Sequence, residues 1–206
     1  MKRVWKIVSL VVLVLILGLA WVMFRPDSYL PHQRITIAVP FSSDNPPSWL
    51  IPMGETINHP KPQVPKGHPG IDFAWPPGEA ARVLSSSDGV VSSIKQGASE
   101  GNLWDVEVKN GYYLLRYKEL KDYNHALKKG SSVKTGDYIG MPGTIANGFH
   151  WEFASASLLR DRFCPVTYFD PASLALINRI WAQTPNDQMK QQFPYICSGD
   201  YYGVED

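Results

Sequence analysis

The sequence predicts a mainly β protein: one antiparallel β-sheet domain with a single C-terminal helix, preceded by an N-terminal transmembrane helix. Three observations lead there. Apolar side chains alternate with polar ones over several short stretches, and turn pairs containing Gly separate those stretches. Helical period within the exported region is confined to one late segment. With 17 Pro, 16 Gly and 12% aromatic residues in 206, the composition suits many short strands joined by turns.

The N-terminus comes first. Lys2, Arg3 and Lys6 precede an apolar run from Ile7 to Phe24 whose most polar member is Ser9. That run is about 18 residues, or roughly 27 Å as a helix, near the hydrocarbon thickness of a bilayer. A cleaved signal peptide is the rival reading, but the run is long for one and Gly18-Leu19-Ala20-Trp21 makes a poor cleavage site. No Cys follows to carry a lipid. Residues 1–24 are therefore expected to be a signal anchor. The basic flank places the N-terminus in the cytoplasm and the rest on the far side of the membrane, as a single-pass protein. A formal net charge of +1 provides no field to attract nucleic acid, so no nucleic-acid partner is expected.

Residues 25–52 read as a tether with one possible strand at 34–39, broken after Asn45-Pro46-Pro47. The sheet pattern starts at Ala81–Leu84 and Val90–Ile94, which flank the turn pair Asp88-Gly89. Trp104, Val106 and Val108 alternate with Asp105, Glu107 and Lys109, the signature of a strand with one buried face. Asn110-Gly111 turns the chain into a return strand over 112–117. Strands are expected again at 138–141 and 149–154. Asp170 caps a helix that Pro171 opens, on which Leu174, Ile177 and Trp181 share a stripe, and Pro185 ends it. Cys164 and Cys197 lie in the C-terminal extension, 158–206, where an oxidising compartment lets them pair; two separate buried thiols are the alternative. The loop so closed is worth ~3–4 kcal/mol in the chain-entropy picture.

Chemistry concentrates in two segments. Gly67-His68-Pro69-Gly70-Ile71-Asp72 sets an imidazole and a carboxylate four residues apart, both good zinc donors. In Phe149-His150-Trp151-Glu152-Phe153 the alternation buries the aromatic residues and presents His150 and Glu152 on the opposite side. His68, Asp72 and His150 are thus candidate ligands for Zn²⁺, with Glu152 orienting a ligand or binding substrate. Two imidazoles and one carboxylate leave a fourth position open for water.

With these residues in view, the stretch from about Gly54 to Ala154 resembles the M23 family of lysostaphin/LytM-type zinc metallopeptidases, hydrolases of peptidoglycan cross-bridges. Asn58-His59-Pro60, His68-Pro69-Gly70-Ile71-Asp72, Ser87-Asp88-Gly89-Val90-Val91, Gly136-Asp137-Tyr138-Ile139-Gly140 and His150-Trp151-Glu152 match in order. The resemblance implies an M23-like domain over 53–157, a groove on an antiparallel sheet, one zinc held by His68, Asp72 and His150, and peptidoglycan or another peptide as substrate. It also exposes two departures. Gly148 stands where the family's last strand carries a catalytic His, and Glu119 stands where a second catalytic His follows a Tyr by two positions. One reading is a membrane-anchored endopeptidase in which Glu119 is general base and His125 a displaced electrophile. The alternative is a degenerate domain that binds cell-wall peptide or regulates another hydrolase.

Overall fold

The protein is described by a computed structural model covering residues 2–24, 34–57, 67–97, 102–143, 147–157, 161–193 and 195–197; within the first helix, side chains are described from Trp5 to Ala20. The motif piece Asn58-His59-Pro60 lies outside the described residues.

The apolar run is a helix, α1 (Lys2–Phe24). Among the described residues no helix is long and apolar enough to cross a membrane, so the transmembrane helix expected at 1–24 is not found there.

From residue 34 the expected tether is built into the domain instead. Ile37, Val39, Phe41 and Leu50 are all buried in the core. The strand expected at 34–39 reduces to a bridge between Ile37 and Phe169. Consecutive backbone groups there bond to different segments, Ile37 N–H to the Tyr168 carbonyl and Ala38 N–H to that of Ser86, so no ladder can grow.

Nine strands form one sheet among the described residues: β1 (Trp49–Ile51), β2 (Ile71–Ala74), β3 (Val83–Leu84), β4 (Gly89–Gln96), β5 (Trp104–Asn110), β6 (Tyr113–Tyr123), β7 (Ser132–Val133), β8 (Tyr138–Pro142) and β9 (Gly148–Ser155). Their order is β1-β2-β9-β6-β5-β4-β7, and every paired neighbour is antiparallel; β8 joins β3 to the far end of β6. The Asp88-Gly89 pair does not close a hairpin between β3 and β4. Asp88 instead accepts hydrogen bonds from Lys134 Nζ (2.8 Å) and Thr135 N–H (2.9 Å), pinning the turn before β8. Between β5 and β6 the turn is Gly111-Tyr112, since Asn110 is already paired with Tyr113; glycine at φ +57° takes the first turn position.

One face of the sheet is apolar. Phe73, Leu115, Tyr117, Phe149, Trp151 and Phe153 project into a core closed by α2 (Pro171–Gln183) through Leu176, Ile177, Ile180 and Trp181. Asp170 caps α2, accepting from Ser173 N–H at 2.9 Å. A second, shorter helix not expected from the sequence, α3 (Asp187–Gln192), follows and buries Met189. The opposite face is not simply solvated: Asp105 and Glu107, expected to be exposed, are buried along with Arg116 and Glu152.

Candidate metal centre

Strand alternation and register assemble this second face in two rows. In the first, Asp72 on β2 lies across from His150 on β9, which lies across from Lys118 on β6. In the second, Glu152 on β9 faces Arg116 on β6, which faces Glu107 on β5. Each of these residues alternates with a core aromatic or aliphatic neighbour, so the packing of the apolar face aims the charged one.

His68 joins from the loop before β2. Its N–H donates to the Glu55 carbonyl at 2.8 Å and its carbonyl accepts from Gly54 N–H at 2.7 Å. Gly70 permits the close approach of this loop to β9, since a Cβ there would lie 2.3 Å from the Trp151 carbonyl oxygen and 2.8 Å from His150 Nε2.

Three donor atoms converge. His68 Nε2 and His150 Nδ1 lie 3.1 and 2.7 Å from the same oxygen, Asp72 Oδ1, and 2.9 Å from each other. The distal ring nitrogens are also engaged: His68 Nδ1 faces the Pro52 carbonyl at 3.3 Å, and His150 Nε2 faces Glu152 Oε1 at 3.1 Å. Those acceptors favour N–H on the distal nitrogens and direct the remaining lone pairs inward. Two imidazole nitrogens and a carboxylate oxygen in mutual contact form a set that a metal ion satisfies with ordinary bond lengths of about 2.0–2.2 Å. Among the described residues, His68, Asp72 and His150 are the group able to hold a metal ion.

The electrostatics agree. Burial would raise the Asp72 pKa, but the charge on His68 and hydrogen bonds from both imidazoles hold it well below the carboxylate range. Burial would lower that of His150; hydrogen bonds to Asp72 and Glu152 outweigh it and push the group up to about 9. Glu152 is fully buried, and burial opposes its ionisation, yet His150, Lys118 and Arg116 hold its pKa far down. It accepts from Arg116 Nη1 (2.7 Å), Arg162 Nε (3.0 Å) and Lys118 Nζ (3.2 Å) besides His150. Arg116 reaches Glu107 as well, at 3.1 Å. Glu152 is therefore placed behind a donor residue. Sequence reasoning missed Arg116, Arg162 and Glu107; the signal for two of them was charge at alternate positions on strands that turn out to be neighbours.

Glu119 sits at a β-bulge. Val106 pairs with Tyr117 and Trp104 with Leu120, so Lys118 and Glu119 together oppose Asp105. Tyr117 and Leu120 are both fully buried in the core. Of the two residues between them, Lys118 pairs with His150 of β9. Glu119 adopts φ +63°, uncommon for a residue with a Cβ, and its N–H donates to Asp105 Oδ1 at 3.2 Å. His125 lies apart from the donor group: its side chain is 68% exposed and paired with Asp122 at 2.9 Å.

At Gly148 the family's imidazole has no room. A Cβ there would stand 2.7 Å from the Phe73 carbonyl oxygen.

Residues 66–158 match the model of peptidase family M23. No curated protein matches the chain. Among solved structures, Csd3 from Helicobacter pylori aligns at a TM-score of 0.51 with 25% identity, covering 71% of this chain and 41% of that one. This chain thus spans less than half the length of that relative. A chain of the SpoIIQ–SpoIIIAH pore-forming complex aligns at 0.50 with 19% identity, covering 71% and 98%.

Proposed function

With residues 66–158 forming an M23 peptidase-family domain, we propose that the protein is a zinc metallopeptidase that cuts peptides of the peptidoglycan cross-link type. The observation that carries this reading is the convergence of His68 Nε2, Asp72 Oδ1 and His150 Nδ1, each imidazole oriented from behind by an acceptor. Zinc bound there supplies Lewis acidity to a peptide carbonyl and to water. The chain's own groups do the rest. Asp72 stays ionised, Glu152 fixes the His150 ring, and Glu119 is the general base.

The strained backbone of Glu119 supports that role, because such conformations persist where function holds them. Glu119→Gln should leave zinc content and melting temperature unchanged and lower cleavage by about 10²–10⁴-fold. His150→Ala should abolish both zinc binding and cleavage. A zinc-loaded wild type that cuts no wall peptide across a broad panel, chelated or not, would sink the hydrolase reading.

One observation favours the second reading, a domain that binds wall peptide or regulates another hydrolase without cutting: the closed space at Gly148 removes one imidazole position outright. The same panel decides, since a binder retains peptide affinity without turnover.

We place the protein at the outer side of a bacterial cytoplasmic membrane, with α1 lying against lipid. Trp5, Leu10, Leu15 and Leu19 are each more than half exposed on that helix, an apolar surface suited to lipid. The disulfide between Cys164 and Cys197 suits an oxidising compartment.

A further inference from the structure

The disulfide Cys164–Cys197 lies outside the matched family segment, 66–158. Each of its cysteines nevertheless belongs to a short arm that ends on a different donor histidine.

The first arm starts at Cys197. Met53 forms a parallel bridge with Cys197, and its N–H donates to the Ile196 carbonyl at 3.0 Å. The flanking residues of Met53 hold His68 at three points: Gly54 N–H on its carbonyl, the Glu55 carbonyl on its N–H, and the Pro52 carbonyl at its ring Nδ1. The second arm starts at Cys164. Phe163 N–H donates to the Phe153 carbonyl at 2.8 Å, and Arg162 bridges to Ala154, which lays the arm along β9. Arg162, 1% exposed, then reaches Glu152 Oε2 with its Nε, and the other oxygen of that carboxylate meets His150 Nε2.

We propose that Arg162 and the Cys164–Cys197 disulfide are one positioning device for the metal ligands, so that the C-terminal extension completes the metal site of the family domain. One covalent bond holds together the supports of both histidines, which reach the site from segments 82 residues apart in sequence. Groups that orient metal ligands through such contacts typically change metal affinity by about 10–100-fold when removed. The inference rests on the metal-site reading above.

The test uses the full-length protein in detergent, with zinc and cobalt(II) as probes. Cys164→Ser/Cys197→Ser and Arg162→Ala should each weaken zinc by about tenfold or more in chelator competition and alter the visible absorption of bound cobalt. Arg162→Lys, which keeps a cation for Glu152, should recover part of the affinity. Ile177→Val, a core change in α2 remote from the site, controls for lost stability and should leave zinc affinity and the cobalt spectrum unchanged. Backbone hydrogen exchange at Gly54, His68 and Phe163 in metal-free protein supplies a readout that needs no metal. Faster exchange at all three in the double serine variant, with a wild type that binds no zinc, would keep the positioning device and discard the metal reading. Unchanged exchange together with unchanged zinc affinity in the folded double variant would overturn the proposal, as would an equal loss of affinity in Ile177→Val.

Discussion

A single methyl group added at residue 148 tests why this strand carries glycine at the position where the M23 resemblance leads one to expect an imidazole. The ideal Cβ at Gly148 falls 2.7 Å from the Phe73 carbonyl oxygen and 3.2 Å from the Ala74 Cβ. The first of these is backbone, so no side-chain rotation relieves it. β2 is also paired on both edges, to β1 and to β9, and cannot retreat alone. Relief must shift Phe73, which is fully buried, together with its neighbour Asp72. Overpacking of this kind costs about 1–3 kcal/mol. Replacing glycine also restricts the unfolded chain, which returns about 0.4–1 kcal/mol. The net loss is then about 0–2.6 kcal/mol, and for a domain of this size it lowers the melting temperature by up to about 10 °C. Thermal denaturation followed by circular dichroism measures it, and a parallel zinc titration should show weakened binding through Asp72. Gly148→His adds the same Cβ and should lose at least as much, so restoring the family residue alone does not restore a working site. If Gly148→Ala melts above the wild type, the close-approach argument is wrong, and the missing imidazole is a matter of sequence choice and not of space.

Three further outcomes are expected. Arg116→Met leaves Glu107 and Glu152 buried without their shared partner, and should cost about 3–5 kcal/mol in chemical denaturation. Asp170→Ala removes the α2 cap and should cost ~1 kcal/mol in the same assay; because hydrogen bonds to Ser173 depress its pKa against the effect of burial, the cap's contribution is present above the usual carboxylate pKa and lost as pH falls below it. The His150 pKa is raised from 6.5 to about 9, so its imidazolium stabilises the metal-free fold fully below about 6.5 and ceases to as pH rises through about 9. Zinc must displace that proton, so zinc affinity should climb about tenfold per pH unit across that window and then level off, as chelator competition at several pH values would record.

The sequence was legible where one residue's chemistry settles the local structure. Asp170 followed by Pro171 defines the start of α2 whatever the rest of the chain does, and alternation in 149–154 reads as a strand with its aromatic side buried. It was less legible where two distant segments decide together. Asp105 and Glu107 read as solvent-facing on their own strand; both are buried, Glu107 against the guanidinium of Arg116 and Asp105 accepting from Glu119 N–H, partners on β6 that local periodicity does not report. Asp88-Gly89 read as a hairpin turn because the pair suits one, whereas the Asp88 carboxylate is used to hold Lys134 and Thr135. The donor residues were legible for their ligand chemistry, while the bulge that carries Glu119 depends on a mismatch between β5 and β6 that neither strand shows by itself.

The adjacency of β2 and β9 has a consequence for the order of assembly. Hairpins such as β5–β6 close across a two-residue turn, and they can form as soon as their own residues are available. His150 is 78 residues from Asp72 and 82 from His68, so bringing it to them closes the longest loops within the donor group. The entropy of such a closure is recovered only when the intervening strands already stand in register. The donor cluster therefore lies on the seam where the sheet is completed last, and local opening of that seam separates the donors while the β4–β5–β6 meander remains intact.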